Sequence, residues 1–110
     1  MITLKDRINK VLISVPLYFP IRNLLSGLLT KKKVMDWEQA GKPFPPPHII
    51  KQKVLLDYSK VYNLRILVET GTYLGDMIEA MKSKFDRIYS IEIDKDLFAL
   101  ANKRFKHAKM

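Results

Sequence analysis

The stretch LVETGTYLGD, residues 67–76, ends an apolar run with a carboxylate, two glycines and a tyrosine. The segment LRILVET, residues 64–70, is typical of a buried parallel strand. After the glycines the apolar residues recur at helical spacing, and RIYSIEI, residues 87–93, predicts a second strand. We therefore expect an α/β fold with a βαβ unit, in which adjacent parallel strands are joined by a helix over residues 76–84.

Helices are also predicted on both sides of this unit. Between residues 48 and 62, Ile50, Val54, Tyr58 and Val61 recur at helical spacing. Asp94 is placed to cap a last helix that starts after the second strand. The residues predicted to face inward from the last two helices are Met77, Ile78, Met81, Phe85, Leu97, Leu100, Ala101 and Phe105.

A proline-rich stretch divides the chain. Residues 43–47, PFPPP, cannot form a helix because proline lacks an amide donor and biases its predecessor toward an extended backbone. We interpret this stretch as a stiff, polyproline-like connector. It separates a basic, partly amphipathic helical appendage at residues 1–42 from the N-terminal part of an α/β domain at residues 48–110.

The appendage has two predicted helices. Thr3 is placed to cap the first, with Asp6 three residues later, and the second runs from Ile21 to Leu29. The apolar residues on one face of the first helix, before Pro16, are Ile8, Val11, Leu12 and Val15.

Composition narrows the classes of function. The chain has no cysteine, which excludes disulfides, a thiolate nucleophile and sulfur-ligated metal, and is compatible with a reducing, cytoplasmic location. Only His48 and His107 are present, far apart in sequence, so no metal site is expected.

The net charge is +9, and residues 1–60 hold 11 Lys or Arg against 4 Asp or Glu, so most of the excess positive charge lies there. Such an excess attracts nucleic acid or an anionic membrane, although scattered lysines are more often a solvated surface.

The apolar residues between 11 and 29 raise the question of a membrane. Pro16, Pro20, Arg22 and Asn23 interrupt the run, which argues against a spanning helix. Peripheral contact through residues 1–33, with the three lysines at 31–33 as a basic flank, is one interpretation. The alternative is that the aliphatic face packs on the rest of the protein or on a partner.

The glycine turn at residues 71–75 is the candidate site. In an open parallel sheet, ligands bind beyond the carboxyl ends of the strands, where a glycine turn lets the backbone approach closely. The dinucleotide fingerprint needs glycines at positions 71, 73 and 76, whereas this chain has Tyr73 and Asp76 at the last two. Asp76 would also repel a phosphate. A ligand without phosphates fits the turn better.

These residues carry a family resemblance. The run from Glu69 to Gly75, ETGTYLG, resembles motif I of the class I S-adenosylmethionine-dependent methyltransferases, an acidic residue followed by a Gly-x-Gly-x-Gly pattern. Glu69, Gly71 and Gly75 match it, and Tyr73 stands where the middle glycine is usual. The family's second motif is an acid at the end of the next strand, and Glu92 occupies that place.

The resemblance implies a role for each residue. Glu92 would accept hydrogen bonds from the two ribose hydroxyls, and Glu69 would bind the methionine ammonium, directly or through water. The backbone from Gly71 to Gly75 would wrap the amino-acid part of the cofactor. Asp94 is the rival for the ribose role, and Tyr73 would either stack near the cofactor or cover the turn. The implied cofactor-binding set is Glu69, Thr70, Gly71, Thr72, Tyr73, Gly75, Glu92, Ile93 and Asp94.

Three functions follow as hypotheses. The first is the S-adenosylmethionine-binding part of a methyltransferase with a partial Rossmann-like fold, whose adenine loop and catalytic residues would lie beyond Met110 and whose methyl acceptor is unknown. On this interpretation the chain is part of a longer protein and inactive alone. The second is part of a nicotinamide-nucleotide-dependent oxidoreductase. The third is a non-enzymatic basic module that docks on a membrane or nucleic acid. A non-ligand explanation of Glu69 and Glu92 is that they cap helices or face water.

Overall fold

The computed structural model describes residues 3–4 and 16–107, and the chain divides into two compact units between Pro47 and His48. The helix expected after Thr3 lies outside the described residues, apart from Thr3 and Leu4. Residues 16–107 contain α1 (Tyr18–Gln39), α2 (His48–Val61), β1 (Ile66–Thr70), α3 (Asp76–Met81), β2 (Arg87–Ile91) and α4 (Lys95–Phe105).

Helix α1 has 22 residues and is the longest helix among the described residues of the first unit. The prediction that it ends at Leu29 was wrong. Lysine, methionine, glutamate and glutamine after that point are good helix formers, and an i,i+4 ion pair of 2.7 Å between Lys32 and Asp36 adds support. Gly41 (φ +85°) and Lys42 (φ +58°) then take left-handed conformations, which end the helix.

The connector is non-helical, as its prolines predict. The Trp37 indole N–H donates to the carbonyl of Pro43 at 2.8 Å, and the peptide bond between Phe44 and Pro45 is cis. The start of the connector is therefore tied back to the last turn of α1. Among the described helices, none combines the length and apolar character needed to cross a bilayer.

The second unit has a two-stranded parallel sheet. Strands β1 and β2 are adjacent, in a register that runs from Ile66 opposite Arg87 to Thr70 opposite Ile91. The prediction of adjacent parallel strands joined by a helix is confirmed. Helix α3 is shorter than expected and ends at Met81, whose carbonyl accepts both the Lys84 and Phe85 N–H groups in a tightening turn. Strand β2 ends at Ile91, so residues 92 and 93 lie in the following loop rather than in the strand.

A small core lies on one face of this sheet. Leu67, Met81 and Phe85 are buried, Met81 completely, and Leu55 and Leu56 of α2 pack against them. The helix expected over residues 48–62 is confirmed, but its recurring residues Val54, Tyr58 and Val61 are exposed. The helix has apolar residues on two faces, and contact with the sheet selects the face of Leu55 and Leu56.

The two faces of the sheet differ in exposure. The side chains on the core face alternate along each strand with exposed ones, a pattern seen in both β1 and β2. The expectation that residues 64–70 form a buried strand therefore holds for one face only. The exposed apolar side chains of the second face are Ile66, Val68, Tyr89 and Ile91.

Candidate functional site

The loop after β1 turns sharply at the carboxyl end of the sheet. The Gly71 N–H donates to the Ile91 carbonyl at 2.8 Å, which extends the strand pairing by one residue. The Gly75 N–H closes the turn onto the Thr72 carbonyl at 2.9 Å. Gly71 (φ +80°), Tyr73 (φ +50°) and Gly75 (φ +83°) all have left-handed backbones. A non-glycine residue in this conformation is uncommon, and its presence here indicates a loop whose shape is set by its surroundings.

The two glycines of this loop have different reasons to be glycine. A Cβ on Gly75 would lie 2.6 Å from the ring carbon Cε2 of Phe105, so α4 packs directly on the backbone there. A Cβ on Gly71 would have no described atom within 4 Å. The absence of a side chain at Gly71 therefore leaves open space beside the strand end, where a ligand can approach the backbone.

Glu92 joins the two loops that follow the strands. Its Oε2 accepts the Tyr73 N–H at 2.9 Å, and its Oε1 accepts the Asp94 N–H at 2.9 Å. These bonds hold the pKa of the Glu92 carboxyl below its ordinary value, with the Asp94 N–H the largest cause and the Tyr73 N–H the next. The Ile93 N–H also contributes to the lowered pKa, so Glu92 is ionised at neutral pH. A carboxylate has about four lone-pair sites, which leaves room for a hydroxyl donor beside these backbone groups.

Glu69 belongs to a chain of side-chain hydrogen bonds. The Ser90 hydroxyl donates to Glu69 Oε1 at 2.6 Å, and the hydroxyl oxygens of Thr72 and Ser90 are 2.5 Å apart. Ser90 has one proton and gives it to the carboxylate, so Thr72 is the donor in the second bond. The parallel register explains the cluster, because it places Glu69 directly opposite Ser90.

The pKa of Glu69 is shifted in the other direction. Partial burial raises it above its ordinary value, and the hydrogen bond from Ser90 offsets part of this increase. A half-buried carboxylate with a raised pKa gains most from a nearby cation. The two acidic residues of the site therefore differ: Glu92 is held by backbone donors, whereas Glu69 is desolvated and bonded only to a hydroxyl among the described residues.

Asp94 caps α4, as the sequence predicts. Its Oδ1 accepts the Asp96 N–H at 2.9 Å and the Leu97 N–H at 3.0 Å. These bonds satisfy two of the unpaired donors in the first turn of the helix. Asp94 thus has a complete structural explanation.

Arg104 holds the loop after β1 through hydrogen bonds. The sequence did not predict this role. Its side chain is 6 % exposed, and Nη1 donates to the Leu74 carbonyl at 2.6 Å and to Asp76 Oδ1 at 3.2 Å. The ion pair offsets the charge of Asp76, so the repulsion expected between Asp76 and a phosphate is weaker than the sequence suggested. No local pattern signals this contact, because Arg104 lies 30 residues after Leu74.

The structure brings the loop residues and Glu92 together at one edge of the sheet, but only part of the predicted set lines a cavity. A cavity of about 550 Å³ lies along β2 and α4 and includes Thr72 and Glu92. Thr72 and Glu92 are the only members of the predicted set that line this cavity, and Ile93 is 97 % exposed. The predicted residues that do not line it are Glu69, Thr70, Gly71, Tyr73, Gly75, Ile93 and Asp94. Ser90, which the sequence analysis missed, does line it. The predicted strands, residues 64–70 and 87–93, would pair Glu69 with Glu92 when aligned end to end, and only the register of the shorter observed strands places Ser90 opposite Glu69.

Metal ligands are not grouped in this region: within residues 3–4 and 16–107, no three His, Asp or Glu side chains are arranged to hold an ion. Comparison with protein-family models, with curated proteins and with solved structures finds no match.

Proposed function

We propose that residues 48–110 are the S-adenosylmethionine-binding part of a class I methyltransferase with a Rossmann-like fold. The observation that carries the proposal is the bond between Glu92 and the Tyr73 N–H, because it brings the two motifs of the resemblance to one site. The glycine loop and the second acid are 19 residues apart in sequence at this contact. Their meeting at the carboxyl ends of parallel strands is where such folds bind ligands.

The residues of the site fit the chemical groups of this cofactor. Glu69 offers a desolvated carboxylate to an ammonium, and Glu92 offers free lone pairs to neutral hydroxyls. The open space beside Gly71 lets a ligand contact the backbone of the loop. The bound cofactor supplies an electrophilic methyl group on a sulfonium, and the protein's part is to hold and orient it.

A nicotinamide nucleotide fits less well. Tyr73 lies at the centre of the loop, where the dinucleotide fingerprint needs a glycine so that the backbone can approach a pyrophosphate. Helix α3 has six residues, with Asp76 and Glu79 in its first turn, which disfavours an anion at its start. Asp76 is ion-paired with Arg104 and Glu79 with Lys82, the latter at 2.9 Å, so this effect is reduced at both acids and Tyr73 is the stronger argument.

The proposal is tested by nuclear magnetic resonance titration of the 110-residue chain, a method that detects weak binding. We expect S-adenosylhomocysteine to shift the backbone amide signals of Gly71, Tyr73 and Ile93, and NADH to leave them unchanged. Glu69→Gln together with Glu92→Gln should remove the shifts. Asp57→Ala, an exposed acid on α2, is the matched control and should retain them.

Two results would overturn this assignment. One is a titration in which S-adenosylhomocysteine leaves all three amides unshifted up to its solubility limit, while the spectrum shows a folded second unit. The other is equal shifts with NADH, which would favour the oxidoreductase.

A further inference from the structure

Helix α1 has a stripe of exposed aliphatic side chains that the proposed function does not use. At 100° per residue, Leu17, just before the helix, lies within about 40° of Leu24 and Leu28, and Ile21 and Leu25 widen the stripe on one side. The six large aliphatic residues from Leu17 to Leu29 are each 49–71 % exposed. A row of this length on one helix is more than the scattered apolar residues of an ordinary surface. We call these residues (Leu17, Ile21, Leu24, Leu25, Leu28 and Leu29) the aliphatic stripe.

One cation lies within the stripe and three follow its end. Arg22 and the three lysines at 31–33 are the only charged residues between positions 16 and 35, so this segment has four positive charges and no negative one. Lys32 forms an ion pair with Asp36, whereas Lys31 and Lys33 form no ion pair with any residue in the described ranges. Arg22 and Lys33 also line a groove of about 490 Å³ along the helix, together with Ile21, Leu25 and Leu29.

The aliphatic stripe and the neighbouring lysines together favour an anionic lipid surface over other binding partners. A second copy of the chain would bring Lys31 and Lys33, which form no ion pair within the described residues, against the same two lysines. Nucleic acid would satisfy the lysines, but its phosphates would leave the aliphatic side chains in water. An anionic bilayer surface satisfies both, because aliphatic side chains enter the acyl boundary while lysines reach the headgroups.

We propose that α1 lies in the interface of an anionic phospholipid membrane, with the aliphatic stripe in the acyl boundary and Lys31 and Lys33 against the headgroup phosphates. The inference concerns the first unit and is independent of the cofactor proposed for the second. The helix lies on the membrane and does not cross it.

The test is co-sedimentation of the full 110-residue chain with vesicles. One set is phosphatidylcholine alone and the other is phosphatidylcholine mixed with phosphatidylserine. We expect binding to the mixed vesicles, little to phosphatidylcholine alone, and weaker binding as salt increases, because salt screens the lysines.

Two paired variants separate the charge from the apolar contact. Lys31→Gln with Lys33→Gln should weaken partitioning roughly 25-fold, since each lysine near an anionic surface contributes roughly five-fold. Leu24→Ser with Leu28→Ser should weaken it at least as much, and both side chains are exposed, so the helix should keep its circular dichroism signal. Lys32 is left in place because it supports the helix through Asp36.

Matched controls lie on α2. Lys51→Gln with Lys60→Gln removes two exposed charges, and Val61→Ser removes an exposed aliphatic side chain, without touching α1. Both should bind vesicles like the unaltered chain. Equal losses in the control and α1 variants would overturn the proposal, as would equal binding to the two vesicle sets or no binding to either.

Two further measurements identify a different occupant. Tighter binding to a mixed-sequence oligonucleotide than to the anionic vesicles would assign the cations to nucleic acid. Self-association without lipid that Leu24→Ser with Leu28→Ser abolishes would assign the stripe to a second copy. Either result would overturn the proposal that α1 binds a membrane.

Discussion

Glu92 accepts the backbone N–H of Tyr73 at 2.9 Å, and through this bond the loop after β2 holds the loop after β1. Tyr73 has a left-handed backbone with φ +50° and a side chain that is 63 % exposed. The side chain therefore does little to hold the loop, whereas the backbone bond fixes it. Glu92 combines two tasks, since it shapes the glycine loop and keeps lone pairs for a ligand.

The first prediction concerns this bond. Glu92→Ala should expose the Tyr73 amide to faster hydrogen exchange and weaken S-adenosylhomocysteine binding roughly 10- to 100-fold, because it removes a charged acceptor. Glu92→Gln keeps one acceptor oxygen and should have a smaller effect on exchange. Both are measured by nuclear magnetic resonance.

The exchange result separates structure from binding. Asp57→Ala should leave both the exchange and the affinity unchanged. Unaltered hydrogen exchange at the Tyr73 amide in Glu92→Ala would show that Glu92 does not hold the glycine loop, whether or not the ligand affinity changes.

The second prediction concerns the pKa of Glu69. Burial raises this pKa and the Ser90 hydrogen bond lowers it, so Ser90→Ala should raise it further. A carbon-13 titration of the Glu69 carboxyl measures the change. Ser59→Ala removes a hydroxyl that donates within α2 at 2.8 Å and should leave the pKa where it was.

The same shift fixes the sign of a pH effect on stability. Because the folded pKa of Glu69 is above the unfolded one, the folded state binds more protons, and Glu69's contribution to stability is lost as pH rises through the raised value. Glu92 has the opposite sign: its lowered pKa gives stability that is present above the ordinary value and lost as pH falls through the lowered one. Urea unfolding of the unaltered chain, Glu69→Gln and Glu92→Gln over roughly pH 2 to 8 checks both signs. The stability difference between Glu69→Gln and the unaltered chain should change as pH rises above the ordinary carboxyl pKa, and that of Glu92→Gln as pH falls below it.

The third prediction compares the two loop glycines. Gly75→Ala should cost about 3 kcal/mol of folding free energy, because it adds a clash with Phe105 at 2.6 Å to a left-handed backbone. Gly71→Ala should cost about 1 to 2 kcal/mol, from the backbone alone. Urea unfolding gives both values. A Phe105→Leu change should recover part of the loss in Gly75→Ala and none in Gly71→Ala.

The fourth prediction concerns Arg104. Arg104→Met should destabilise the second unit by about 3 kcal/mol, because it leaves the Leu74 carbonyl and the Asp76 carboxylate without this donor. Lys103→Met changes an exposed cation in the same helix turn and should shift stability by less than about 0.5 kcal/mol. Similar urea midpoints for the two variants would refute the supporting role of Arg104.

The fifth prediction assigns Asp94 to the helix rather than to the ligand. Asp94→Ala should cost about 1 kcal/mol of stability, and Asp94→Ser should restore most of it, because serine also caps helices. Neither change should alter S-adenosylhomocysteine affinity once the protein is folded. Loss of binding in the serine variant would transfer the ribose role from Glu92 to Asp94.

The sequence by itself determined the elements of the second unit. The apolar runs around Leu67 and Ile88, with a change of period between them, were enough to predict two parallel strands joined by a helix. Asp94 was recognisable as a cap because its role depends only on the next three residues. The prolines at 43–47 likewise excluded helix through their own covalent geometry.

Only the tertiary structure decided which side chains meet. Helix α2 has apolar residues on two faces, and the sheet selects Leu55 and Leu56 while Val54 and Tyr58 stay exposed. Ser90 reaches Glu69 because of the register between two strands, and Arg104 reaches Leu74 across 30 residues of chain. Local patterns carry backbone preference and periodicity, but these contacts depend on distances between elements, which only the packed chain fixes.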